Sequence, residues 1–413
     1  MKRQLSDKLL WLCLLLLTVS VTAFNTSSLS SISVLLFTVL MLLVYAYFHK
    51  GEIRVRITKY HRMVVAFALF CMCSAVWAKD SKAAITDSIT IFEILICMSV
   101  IYCCFQGQNS VRDMLTAIMW SGPILALYTV YYYGPSMIVK MIVGSIRISE
   151  GFANANTIGI WATISAILFY YFVLHDGWKW KYCAIVLPIV LVALSQSRKA
   201  ALMLILALLM IQIFKNGFEK KGLKGLIGLI FGLAVIIIGL VMLSRTQLFA
   251  GMMKRITRAI EDFTGPGTSG GSVDVRKLYS QVGLEQFLKT PLLGIGIRNS
   301  YFLTREATGY TTYLHNNFVE LLACGGIVGF FLYYRIIFYL VTRLWRSVRR
   351  TEQYSDICLV ILLVYTAMEV GFVSYYSKRT YLLLLICYLQ TVFAERDSLQ
   401  ENKFVDAGKC TGE

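Results

Sequence analysis

Charge is scarce in this sequence. Only 15% of its 413 residues are Asp, Glu, Lys or Arg, against about 25% in a soluble domain. Five prolines and 29 glycines exclude a collagen-like or low-complexity chain. The four histidines, His49, His61, His175 and His315, include no pair at i, i+4, and no Cys/His spacing suits zinc. No metal or other cofactor is expected. What is abundant is apolar: 57% of the residues are A, V, I, L, M, F, W, Y or C, and mean hydropathy is +0.66. An ordinary soluble enzyme and a disordered chain are both excluded. The apolar runs are too long for barrel strands and do not alternate, so helices are expected.

The pattern predicts an all-α integral membrane protein with about twelve transmembrane helices in one polytopic domain, 1–413. The spans fall near 9–24, 29–48, 63–79, 85–105, 112–133, 156–175, 180–196, 198–215, 222–243, 314–342, 356–376 and 379–395. The first is not read as a cleavable signal, because a second span follows at once. The weakest break is at Ser195–Lys199, where 182–214 can also be read as one bent helix. Eleven cysteines lie almost all inside spans, as small apolar packing residues.

The formal net charge of +17 does not point to nucleic acid, because the basic residues are spread over loops between apolar runs. Twenty-two of the 40 basic residues fall in loops on the side of the termini. Eight fall in short loops on the other side. The positive-inside rule therefore places both termini, and the tail 396–413, in the cytoplasm. Residues 244–313 form a large external segment before the last three spans. Its first part spaces Leu248, Met252, Ile256, Ile260 and Phe263 as an amphipathic helix, expected to lie on the outer membrane surface. Residues 264–272 read as a loop, and a second helix follows over 274–289.

Ionisable groups at or within spans are costly unless paired or functional. Five places stand out, all on the external side. Arg147 precedes Asn154 and Asn156, which sit at a helix start where they can cap free N–H groups or, with Arg147, bind an anion. Arg198 and Lys199 open an apolar helix at the end least favourable to cations, by anion binding or by snorkelling. Arg276 lies on the second external helix, beside a possible surface partner, Asp274. His315, Asn316 and Glu320 start the tenth span. A lone His there is ordinarily a cap, but Glu320 lies a turn into an apolar run and needs a partner. Glu369 lies in span eleven, where pairing with an external arginine or packing as an ion pair would satisfy it.

Guanidinium forks from separate parts of the chain suit a diphosphate. No Asp-rich motif is present to hold a metal against it. The arginines would then stabilise a departing diphosphate, and His315 would take the proton of an incoming hydroxyl. A membrane-bound donor of this kind is a polyprenyl-diphosphate sugar.

Four blocks now resemble a known family. They are Arg147 with Gly151-Phe-Ala-Asn154-Ala-Asn156-Thr-Ile-Gly159; Leu194-Ser-Gln-Ser-Arg198-Lys-Ala; Arg276 with Pro291-Leu-Leu-Gly294-Ile-Gly296; and His315-Asn316 with Glu320 and Gly325 to Gly329. In this order they are similar to the motifs of the O-antigen ligase and O-antigen/capsule polymerase superfamily. Ala153 and Ala155 stand where that family often has Gly and Pro, and Lys199 where Gly is common.

The resemblance implies a GT-C-type glycosyltransferase of the bacterial cytoplasmic (inner) membrane, with its active site facing outward. It would move a glycan from undecaprenyl diphosphate to an acceptor hydroxyl, without metal and with inversion. Carried over, Arg198 and Arg276 are diphosphate-binding arginines and His315 is the catalytic histidine. Arg147, Lys199, Asn154, Asn156, Asn316 and Glu320 are substrate-binding candidates. The acceptor is another lipid-linked repeat unit for a polymerase, the preferred reading, or lipid A core or protein for a ligase. Other polysaccharide-assembly proteins are possible partners. A polysaccharide flippase or transporter is the rival class, but no repeat relates the two halves.

Overall fold

The computed structural model describes residues 2–24, 28–49, 56–107, 109–143, 146–148, 153–218, 223–264 and 272–410. Among these the regular structure is helical, with no strands. The N-terminal helices are α1 (Lys2–Ala23), α2 (Leu29–Phe48), α3 (Lys59–Cys73), α4 (Ser81–Cys104), α5 (Ser110–Ile142) and α6 (Ala155–Asp176). Then come α7 (Val186–Ser195), α8 (Arg198–Ile213), α9 (Leu223–Ser244), α10 (Gln247–Thr264) and α11 (Ser272–Lys289). The last are α12 (Ser300–Thr308), α13 (Asn317–Arg349), α14 (Ser355–Met368) and α15 (Lys378–Cys410).

Nine helices among the described residues are long and apolar enough to cross a membrane: α1 to α6, α8, α9 and α13. The protein is a multi-pass helical membrane protein. The remaining three expected spans, 180–196, 356–376 and 379–395, fall on α7, α14 and α15 and are not among the nine. The first two of these helices are short, at 10 and 14 residues, and α15 opens on two cations, Lys378 and Arg379.

The interior is built around α6. Ile158, Trp161, Ile164 and Phe169 are buried, and α6 packs on α5, α7 and α8. Its Trp161 indole donates to Ser121 Oγ at 3.0 Å, so the one polar atom of that ring is satisfied in the core. A second group gathers α13 with α3, α14 and α15. Cys71, Cys324, Cys358 and Cys387, on these helices, are buried as free thiols.

The break between α7 and α8 is real. Gln196 ends α7 in the left-handed region at φ 46°. Ser197 then caps α8, its Oγ accepting from Ala200 N–H at 3.4 Å. A single bent helix over 182–214 is thus ruled out by the backbone itself.

The insert 244–313 packs against the bundle. Phe249 and Met252 of α10 are buried, and α10 contacts α5, α7, α8 and α9. Its apolar face covers other helices of the bundle. Burying each of those two side chains favours this by ~1.5–3 kcal/mol relative to exposure. The side chains of Ile260 and Phe263, the loop 265–271 and Gly151 of the first motif lie outside the described residues.

Residues 291–296 explain the Pro-Leu-Leu-Gly-Ile-Gly motif. Helix α13 breaks at Gly326, φ 58° and ψ −165°. The backbone groups released there bond to the insert. Ile295 N–H donates to Ala323 O at 3.0 Å and Gly296 N–H to Cys324 O at 2.9 Å. In return Ile327 N–H donates to Pro291 O at 2.8 Å and Val328 N–H to Leu292 O at 3.2 Å. A Cβ at Gly294 would meet the Cys324 backbone at 2.4 Å, and one at Gly326 would meet Leu292 O at 2.3 Å. Only glycine permits this approach.

Candidate active site

A cavity of ≈ 540 Å³ opens between the start of α6, the start of α8, α11, the 313–315 turn and the 371–379 segment. Asn154, Asn156, Lys199, Arg276 and His315 all line it. Five of the nine residues singled out from sequence, from four separate stretches of chain, therefore share one space.

Asn154 caps α6, its Oδ1 accepting from Asn156 N–H at 2.9 Å. Asn156 Oδ1 accepts from Arg147 Nη2 at 2.9 Å and from Ser197 Oγ at 3.0 Å. Arg147 Nε also donates to Ser195 O, at the end of α7, at 2.8 Å. Thus Arg147 does not line the cavity. It stands behind Asn156 and ties the loop before α6 to the break before α8. Burial, then the charges of Arg255, Arg276 and Arg198, lower its pKa to about 10, which leaves it protonated at neutral pH.

Arg198 does not line the cavity either. Its Nη1 reaches Arg255 O on α10 at 3.5 Å. The three arginines expected to converge are close enough to repel one another, but only Arg276 faces the space. Burial lowers the Arg276 pKa; Tyr313 opposes this shift and Arg198 adds to it. Lys199 Nζ donates to Gly371 O, so the cation stays at the cavity wall instead of snorkelling away.

His315 precedes α13 by two residues and lies outside the membrane span. Its φ of 59° is left-handed, an uncommon state for a residue with a side chain. The ring sits beside Tyr313, with centroids 4.2 Å apart, and stacks over Tyr279 at 6.2 Å and 13°. Burial, then the charges of Arg276 and Lys199, lower its pKa to about 4. The imidazole is therefore neutral at physiological pH and holds an open lone pair beside two cations.

The side chains of Asn316 and Glu320 are engaged within the protein. Asn316 Oδ1 accepts from Phe318 N–H at 3.0 Å and Val319 N–H at 3.3 Å, capping α13. Glu320 is buried. Its Oε1 accepts from Ser300 Oγ at 2.5 Å and its Oε2 from Leu314 N–H at 2.8 Å. The partner that a buried carboxylate needs is thus supplied by the backbone turn and by α12. Both residues shape the turn that carries His315 and neither lines the cavity.

Glu369 does not pair with an external arginine. It accepts from Ser374 Oγ at 2.5 Å, Tyr334 OH at 2.8 Å, Tyr333 OH at 3.3 Å and Asn317 Nδ2 at 3.3 Å. Asn317 Oδ1 in turn accepts from Ser374 N–H at 2.9 Å. This network fixes the 369–375 segment, which continues into the cavity wall. Sequence reading missed Asn317, Tyr313 and Tyr376 as structural members of the site. It also missed that Lys378 and Arg379 line the same cavity. Two cations opening an apolar run, the signal already read at Arg198 and Lys199, would have found them. Among the described residues no group of three His, Cys, Asp or Glu side chains is gathered as a metal ion requires.

Fold and site together define a polytopic membrane protein with a cationic cavity and one neutral histidine. Residues 183–334 match the family model described as O-Antigen ligase. Over that stretch the chain is similar to the O-antigen ligase/polymerase superfamily, whose members are glycosyltransferase-like membrane enzymes. The match takes in Arg198, Lys199, Arg276, His315 and Glu320, and ends before Lys378. No curated protein matches the chain significantly.

Proposed function

We propose that the protein transfers a glycan from undecaprenyl diphosphate to an acceptor hydroxyl at the outer face of the bacterial cytoplasmic membrane. The observation that carries this reading is one cavity lined by Lys199, Arg276 and a neutral His315. The acceptor oxygen attacks the anomeric carbon and gives its proton to His315. The carbon–oxygen bond to the diphosphate breaks, and its electron pair leaves with undecaprenyl diphosphate. Lys199 and Arg276 face that growing charge directly. Arg147 and Arg198 add field from behind, and preorganised cations of this kind are a large source of rate. Attack opposite the leaving group inverts the anomeric centre.

This reading takes the chain as a GT-C-type enzyme with about twelve spans. The insert 244–313 lies outside the membrane, and both termini and the tail 396–413 lie in the cytoplasm. Polymerisation of capsule or O-antigen repeat units is the preferred outcome, supported by the Asn-Ala-Asn-Thr-Ile-Gly and Ser-Arg-Lys-Ala stretches. Ligation to lipid A core is the second reading, supported by the description of the matching family.

The test is purified protein given an undecaprenyl-diphosphate repeat unit, with products resolved by size. A ladder supports the polymerase. Transfer only to added lipid A core supports the ligase. No transfer to any acceptor overturns the glycosyltransferase reading.

A further inference from the structure

The cavity has a second cationic wall. It is also lined, from other elements than those that carry Asn156 and Lys199, by Lys378 and Arg379 at the start of α15, with Ser30 and Ser31 at the start of α2 and Thr90 on α4. This wall is built. Lys378 Nζ donates to Ser31 Oγ at 3.0 Å and to Ser30 Oγ at 3.3 Å. Arg379 Nη1 donates to Val21 O, near the end of α1, at 3.0 Å. The two cations are half-buried. They sit at a helix N-terminus, the end where positive charge is disfavoured. The charge of Glu93 reaches Lys378, yet no ion pair between them forms within 4.0 Å among the described residues.

The donor's leaving group accounts for only one of the two walls. Its diphosphate must lie where His315 can serve the reacting carbon, and the charges felt at His315 are those of Arg276 and Lys199. A neutral acceptor sugar needs no guanidinium. The second wall also lies where α1 ends at Ala23, α2 begins at Leu29 and α15 begins at Lys378, which the topology read from the sequence puts at the external ends of these helices. Beside the same two cations a small apolar gap of ≈ 20 Å³ lies among Leu17, Val34, Ile94 and Leu382.

We infer that the Lys378–Arg379–Ser30–Ser31 wall is a second phosphate subsite, holding the diphosphate of an acceptor lipid while the donor occupies the Lys199–Arg276 wall. The inference rests on the glycosyl-transfer reading and deepens it: the acceptor is itself a lipid-linked diphosphate, which makes the product a lengthened glycan. Phosphate charge paired with Lys and Arg is the shared chemistry, and it is presented both by a lipid headgroup and by free pyrophosphate. Two serine hydroxyls beside the lysine add hydrogen bonds to the same oxygens.

The experiment counts ligands directly. Purified full-length protein in detergent is titrated with sugar-free undecaprenyl diphosphate and examined by native mass spectrometry, with inorganic pyrophosphate and phosphatidylglycerol as parallel arms. The wild type should bind two molecules of undecaprenyl diphosphate. Arg276→Gln should bind one, and the double variant Lys378→Gln with Arg379→Gln should bind one. The event that survives in each variant reports that the chain is folded. Lys378→Gln alone, which keeps the Arg379 bond to Val21, should weaken the second event at least tenfold and leave the first unchanged. A wild type that binds one molecule, lost in Arg276→Gln and untouched by Lys378→Gln, overturns the second subsite and leaves the glycosyltransferase reading standing. No binding at either wall overturns both. Equal filling of the second wall by phosphatidylglycerol, or by pyrophosphate at the affinity of the lipid, overturns its assignment to an acceptor lipid diphosphate.

Discussion

Glu320 Oε2 accepts the backbone N–H of Leu314 at 2.8 Å. The carboxylate reaches back six residues to the turn that holds His315 at positive φ. Its other oxygen is held by Ser300 Oγ, so the turn, α12 and the first turn of α13 meet at one buried side chain. Glu320→Gln keeps the shape but places an amide where two donors point. Transfer should fall by ~10–100-fold in kcat with little change in KM, because a misplaced histidine loses rate more than binding. Unchanged kcat in that variant would remove Glu320 from the positioning of His315.

His315→Asn should lower transfer by ~100–10,000-fold, the usual contribution of a positioned base. Binding of undecaprenyl diphosphate should persist, since the cations that face the cavity remain. Transfer within tenfold of wild type would show that another group takes the proton.

The pKa of His315 is held at about 4, below its ordinary value, so the ring is neutral above that pH and gains a proton only as pH falls through it. In ¹³C-histidine NMR of the ligand-free protein, the signal absent from His315→Asn should titrate near 4. Adding undecaprenyl diphosphate supplies negative charge against Arg276 and Lys199 and should move the titration upward. A midpoint near 6.5 without ligand would contradict the burial and the cation contacts described for the ring.

Arg147 acts through Asn156. Arg147→Ala leaves Asn156 Oδ1 with Ser197 alone and frees Ser195 O. The start of α6 should loosen, and undecaprenyl diphosphate should bind ~10-fold more weakly, about 1.4 kcal/mol. Arg147→Lys should restore little, because a single ammonium cannot reproduce a planar fork bonded in two directions. Full rescue by lysine in the same titration would argue for charge alone.

Gly326→Ala should destabilise the protein by more than ~1 kcal/mol, because its φ of 58° is left-handed and the new Cβ meets Leu292 O at 2.3 Å. A thermal midpoint equal to wild type would show that the break in α13 can relax.

Hydropathy alone made nine helices legible, because long apolar runs have one stable answer in a bilayer. The candidate site was legible as residue types at helix starts: Asn154, Asn156, Lys199, Arg276 and His315 share the cavity. Their neighbours were not. Glu320 is satisfied by Ser300 and by a backbone N–H, and Glu369 by two tyrosines, Asn317 and Ser374. Whether a carboxylate in a span pairs with an arginine or with hydroxyls depends on which distant segment folds over it, and spacing along one helix does not carry that. For the same reason Arg147 and Arg198 do not line the cavity. The sequence places their backbones, while Ser195 O, Asn156 and Arg255 O decide where the guanidinium groups point.

The exchange of backbone bonds between residues 291–296 and the broken middle of α13 has a mechanical result. The insert is not tethered to the span by a loop; it completes the span's own ladder. Arg276 and His315, which flank this seam, must travel with α13 as one stiff plate. On the glycosyl-transfer reading proposed above, a long lipid would enter where the facing half gives way: the loop before α6, the α7–α8 junction, or the start of α15. Cross-linking across the seam should leave turnover intact, whereas pinning α2 to α15 should stall it.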